Sequence, residues 1–125
     1  MSSNKRTVLL VEDNEELRRL YRVAFQHHNF TVLEAADGQS AVDEAILHMP
    51  SLIILDLMLP RQGGLAALRV LRTLPESKHI PIIILTALPN PEYREVAGTR
   101  VQGFYLKTEI TPKELIAKAE ALLTN

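Results

Sequence analysis

A chain of 125 residues, 46% of them apolar, has the size and hydrophobic content of a single domain around one buried core. Its 14 Lys and Arg against 15 Asp and Glu leave a net charge of −1, so no basic excess marks nucleic acid or an anionic membrane as a direct partner. The lack of cysteine excludes disulfides and thiolate metal sites, and no apolar run approaches the roughly 18 residues of a membrane span, so residues 1–125 are expected to form one soluble, cytoplasmic domain.

The first apolar run, Thr7–Val11, is predicted to be a strand. Asn14 then caps a helix whose first turn carries Glu15 and Glu16 and whose apolar stripe is Leu17, Leu20, Tyr21, Ala24 and Phe25. A second strand over Thr31–Ala35 precedes a helix marked by Ala41, Val42, Ala45 and Ile46. Leu52–Leu55 is the third strand. The third helix starts after Gly63-Gly64, carries Leu65, Leu68, Val70, Leu71 and Leu74, and stops at Pro75. Ile82–Leu85 follows as the fourth strand.

Pro89 and Pro91 exclude a helix from the start of the fourth crossover and Gly98 weakens its end, leaving about two turns near Glu92–Ala97. Gly103–Leu106 is the fifth strand, and Thr111-Pro112-Lys113-Glu114 opens the last helix with a capping box and a proline at its first position. Leu115, Ile116, Ala119, Leu122 and Leu123 are its buried face.

The runs VLLV, LIIL and IIIL are apolar throughout, as strands covered on both faces by helices must be, so the sheet is expected to be parallel. Strand and helix alternate five times. The fold class is therefore α/β, a doubly wound (βα)5 sheet in the order 2-1-3-4-5.

In such a sheet, ligands bind beyond the carboxyl ends of the strands where strand order reverses, here between strands one and three. The residues at those ends are Glu12 and Asp13, Asp56, Thr86 and Lys107. Three gathered carboxylates repel, and a hard divalent cation makes the cluster tolerable. Magnesium suits it, with Asp13, Asp56 and a backbone carbonyl just after strand three as ligands and Glu12 acting through a bound water. Such a site is built for phosphoryl transfer, with Asp56 as the covalent nucleophile. Lys107 and the Thr86 hydroxyl would each take a phosphoryl oxygen, and movement of Thr86 would draw in the loop after strand four.

These residues closely resemble the receiver domain of two-component response regulators: the pair Glu12-Asp13, Asp56 in LIILDLMLP, Thr86 before the small Ala87, and Lys107 after strand five. The resemblance covers essentially the whole chain and implies a flavodoxin-like receiver fold. It implies phosphorylation of Asp56 by a sensor histidine kinase or phosphotransfer protein, with the Met58 backbone carbonyl as a further metal ligand. It also implies an aromatic switch at Phe104 and an output surface for a downstream protein on helix four, strand five and helix five. The chain departs from the family pattern at Thr108, where a proline on a cis bond is usual, at Gly63, where an aspartate is common, and in its curtailed fourth helix.

Two other readings fit the fold class. The first is an adaptor that keeps the receiver fold without cycling through phosphate, suggested by Thr108 and the short fourth helix. The second is a flavodoxin-type carrier, which needs a phosphate-cradling loop where this chain has Glu-Asp-Asn-Glu-Glu, a run that repels phosphate. Taken singly, Glu12-Asp13 reads as a helix-start signal, Thr86 as a strand end, Lys107 as a solvated cation and Phe104 as core. Their shared location argues otherwise. The histidines at 27, 28, 48 and 79 pair with no carboxylate cluster and read as surface groups near helix ends, as do Arg94 and Arg100.

Overall fold

Each apolar run becomes a strand in the computed structural model, which describes residues 6–59, 63–87 and 100–124. The strands are β1 (Arg6–Val11), β2 (Phe30–Ala35), β3 (Leu52–Leu55), β4 (Ile82–Thr86) and β5 (Gly103–Leu106). All neighbouring pairs are parallel, in the order β2-β1-β3-β4-β5. The expected order is thus the observed one. Register pairs Val11 with Leu55 and Thr86 with Leu106, so β1 and β3, and likewise β4 and β5, finish side by side at one edge.

Four helices lie among the described residues: α1 (Glu15–His27), α2 (Gly38–His48), α3 (Gly64–Thr73) and α4 (Pro112–Leu123). Asn14 caps α1 by accepting from the Leu17 N–H at 2.8 Å, and the predicted box at Thr111 and Glu114 closes the start of α4 in both directions. The short helix expected at Glu92–Ala97 lies outside the described residues. No helix among those described is long and apolar enough to cross a membrane.

Alternate strand residues feed two cores, because successive side chains of a strand point to opposite faces. Leu9, Val11, Ile53, Leu55, Ile82 and Ile84 pack with α2 and α3, whereas Val8, Leu10, Ile54, Ile83 and Leu85 pack with α1 and α4. Burying each such side chain contributes about 1.5–3 kcal/mol. The stripes on the helices are narrower than their periodicity suggested. Leu20 is 53% exposed and Ile46 sits at the solvent edge, so α1 rests on Tyr21 and Phe25 and α2 on Ala41, Val42 and Ala45.

Candidate functional site

The edge where β1 and β3 end is the place where strand order reverses. Extending β1 by one residue delivers Glu12, and extending β3 delivers Asp56, which hydrogen-bonds through its N–H to the Val11 carbonyl at 3.1 Å. Both carboxylates are buried, Glu12 at 4% exposure and Asp56 at 3%, while Asp13 faces solvent. One oxygen from each of the three lies within 4.8 Å of the others.

Lys107 arrives from the residue after β5, its N–H bonded to the Thr86 carbonyl at 2.8 Å. Its Nζ stands 2.6 Å from Glu12 Oε1 and donates to Asp56 Oδ2 at 2.9 Å. The described residues contain no cis peptide bond, so Lys107 makes this reach with a trans bond to Thr108. Asp56 Oδ1 accepts from the Met58 backbone N–H at 2.9 Å, and Glu12 Oε2 from that of Asn14 at 3.0 Å.

Burial raises the Asp56 carboxyl against the hydrogen bonds of Lys107 and Met58, and neighbouring Asp13 pushes the same way. Burial raises Glu12 as well, with Asp56 as the repelling neighbour. Burial works against the Lys107 ammonium, but hydrogen bonds to Glu12 and Asp56 outweigh it and raise its pKa. The cluster is therefore short of positive charge: one ammonium serves three carboxylates.

Thr86 is wholly buried at the end of β4, and its hydroxyl has no hydrogen-bond partner among the described residues. Leaving a buried hydroxyl unpaired costs about 1–3 kcal/mol, a burden that calls for a partner. Phe104 lies in β5 opposite Ile84, half-buried against the α2–α3 core. The Met58 side chain is exposed. The histidines at 27, 28, 48 and 79 are all exposed and away from the cluster, as is Arg100; Arg94 lies outside the described residues.

Several residues that shape the site carried no sequence signal. Arg18 on α1 donates to the Glu12 carbonyl at 2.8 Å and pairs with Glu34 at 2.8 Å, and Arg22 reaches the same Glu34 at 3.0 Å. Glu34 is lowered in pKa by these two guanidinium groups despite its own burial. This triad fixes the turn that presents Glu12 and Asp13. Gly64 lies against the backbone of Asp56 and Leu57.

Comparison with known proteins identifies the family and the fold. The family model described as response regulator receiver domain matches residues 8–120. The response regulator ArlR of Staphylococcus aureus is 38% identical over 117 residues, covering 93% of this chain and 52% of its own length. The chain spans about half the length of the curated relatives it matches. Among solved structures, chemotaxis protein CheY4 of Vibrio cholerae superposes with a TM-score of 0.86 at 26% identity, covering 95% of this chain and 99% of its own. The receiver domain of the sensor histidine kinase PA1611 of Pseudomonas aeruginosa superposes at 0.84 and 27% identity, over 94% of this chain and 96% of its own. That structure holds a magnesium ion in its active-site cleft.

Proposed function

Because the chain belongs to the response regulator receiver domain family, we propose that residues 1–125 form one receiver domain in which Asp56 accepts a phosphoryl group from a sensor histidine kinase or phosphotransfer protein. The observation that carries this reading is the meeting of Glu12, Asp13 and Asp56 within 4.8 Å, with Lys107 bonded to two of them. Three hard oxygen donors with one ammonium fit magnesium, whose preference is for carboxylate and water oxygens. Asp13 and Asp56 would ligate it directly, with the Met58 carbonyl, and Glu12 through a bound water. When bound, the ion supplies the charge that neutralises the carboxylates and the phosphoryl oxygens.

Asp56 attacks phosphorus through a carboxylate oxygen. The bond to the leaving imidazole nitrogen breaks, its electron pair stays on that nitrogen, and an acyl phosphate remains. Lys107 turns from the carboxylates to a phosphoryl oxygen, exchanging one set of anionic partners for another. The unpaired Thr86 hydroxyl donates to another oxygen, and its displacement, followed by Phe104 turning inward, remodels the face formed by the fourth crossover, β5 and α4. That face would dock a downstream protein; this domain itself is read as contacting neither nucleic acid nor membrane.

Incubation with Mg²⁺ and acetyl phosphate tests the reading. The expected result is one added phosphoryl group on the peptide containing Asp56, and a fluoroberyllate complex at the same carboxylate. Neither mass gain nor metal binding would return the constitutive adaptor reading instead.

A further inference from the structure

Two of the three clustered carboxylates are held by their side chains. Glu12 and Asp56 both accept from Lys107 and from a main-chain N–H, so their oxygens have fixed places. Asp13 differs: it is exposed, and no hydrogen bond from another described residue reaches its carboxylate. Where that carboxylate points is decided by the peptide groups on either side of it.

The peptide after Asp13 is held through the Asn14 N–H, which donates to Glu12 Oε2 at 3.0 Å. The peptide before it presents the Glu12 carbonyl, and Arg18 Nη1 donates to that oxygen at 2.8 Å. Arg18 is itself anchored, because its Nε donates to Glu34 Oε1 on β2 at 2.8 Å while Arg22 Nη1 holds Glu34 Oε2 at 3.0 Å. The next residue of β2, Ala35, accepts the Glu12 N–H at 3.0 Å, so α1 and β2 brace Glu12 from both ends. The planar guanidinium fork offers Nε and Nη1 to acceptors on two elements at once, an arrangement that the compact ammonium of a lysine does not match. With its side chain only 18% exposed, Arg18 is more than a solvated charge.

We propose that Arg18 is a positioning residue for the metal site: anchored on Glu34, its guanidinium locks the peptide between Glu12 and Asp13 and so aims the Asp13 carboxylate at the cation. The inference rests on the reading of Asp13 and Asp56 as magnesium ligands. Outer-shell hydrogen bonds of this kind orient metal ligands generally, and their loss weakens metal binding tenfold or more. Charge alone acts in the opposite direction. Removing the Arg18 cation leaves Glu34 less neutralised and the surroundings more negative, which by itself draws Mg²⁺ in more tightly. Orientation and charge thus give opposite signs for the same substitution.

Arg18→Met removes the fork and the charge, and Arg18→Lys removes the fork alone. Calorimetric titration with Mg²⁺, at a temperature where circular dichroism shows every variant folded, should find both bound roughly tenfold more weakly than wild type. Phosphorylation by acetyl phosphate should be slow in both at low Mg²⁺ and return to the wild-type rate at saturating Mg²⁺, because Arg18 touches neither Asp56 nor Lys107. Equal or tighter Mg²⁺ binding by Arg18→Met overturns the inference and leaves the magnesium site intact. So does a rate that stays low at saturating Mg²⁺, which would make Arg18 a packing residue of the whole edge. A wild-type chain that binds no Mg²⁺ overturns the inference together with the reading it rests on.

Discussion

A β-carbon on Gly64 would stand 2.1 Å from the carbonyl oxygen of Asp56 and 2.4 Å from the Leu57 α-carbon. The Gly64 N–H also donates to the Leu57 carbonyl at 3.1 Å, so the first residue of α3 is pressed against the backbone that presents the proposed phosphoacceptor. Because the obstacle is main chain, it cannot rotate away as a side-chain tip could. Gly64→Ala should cost about 1–3 kcal/mol by urea denaturation, and slow phosphorylation at saturating Mg²⁺ because Asp56 is displaced. Gly63→Ala meets no atom within 4 Å and is strained only by its φ of +31°, so it should leave that rate unchanged. A Gly64→Ala protein with wild-type midpoint and rate would refute the close-approach argument.

That contact also marks the limit of what the sequence conveys. Asp56 was legible because a carboxylate ending an apolar strand breaks the burial pattern, and Glu12, Thr86 and Lys107 because each follows an equally clear strand. The parallel sheet followed from the uninterrupted runs, and the strand order from the alternation of strand and helix with right-handed crossovers. Gly64 was legible as a helix start but not as a close approach, since contact between α3 and the end of β3 depends on packing rather than periodicity. Arg18 carried no signal in the sequence; only the fold brings it to the Glu12 carbonyl. Leu20 shows the converse error, an apolar residue at helical spacing that the narrow contact with the sheet leaves in water.

Added magnesium should stabilise the folded chain by mass action, by about 2.7 kcal/mol at a hundredfold excess over its dissociation constant. Asp13 is the exposed member of the cluster, so Asp13→Ala should change the metal-free stability by less than about 0.5 kcal/mol and yet abolish the magnesium response. Differential scanning calorimetry with and without Mg²⁺ checks both halves. An equal magnesium-induced rise in the two proteins would move the metal to another place.

Lys107 is the shared cation of two buried carboxylates, so Lys107→Met should destabilise the metal-free protein at pH 7.5 by about 1–3 kcal/mol. Its Tm should recover when Mg²⁺ is added, and as pH falls and the carboxylates take up protons. Thermal melts across pH measure this. A variant as stable as wild type without metal would mean that the ammonium contributes nothing to the folded state.

Asp56→Asn separates the chemical role of the carboxylate from its electrostatic cost. The substitution should eliminate the phosphoryl mass gain, and a gain retained on the same peptide would show the acceptor to be another residue. Its effect on stability follows from sign. Burial and Asp13 raise the Asp56 carboxyl above its ordinary value of 3.8, so the folded state holds the proton more tightly than the unfolded one. The stabilisation associated with the protonated form is fully present below that ordinary value and is lost as pH rises through the folded pKa. At neutral pH the wild type therefore carries the cost of a buried, crowded charge that asparagine lacks, and Asp56→Asn should melt a few degrees higher, on the order of 1 kcal/mol. The difference should shrink as pH falls through the raised folded value and vanish below 3.8, where the wild-type carboxyl is protonated in both states. Saturating Mg²⁺ should narrow it from the other side, by stabilising the wild type and not the variant. A variant less stable than wild type at neutral pH without metal would mean that the hydrogen bonds from Lys107 and Met58 outweigh burial at Asp56.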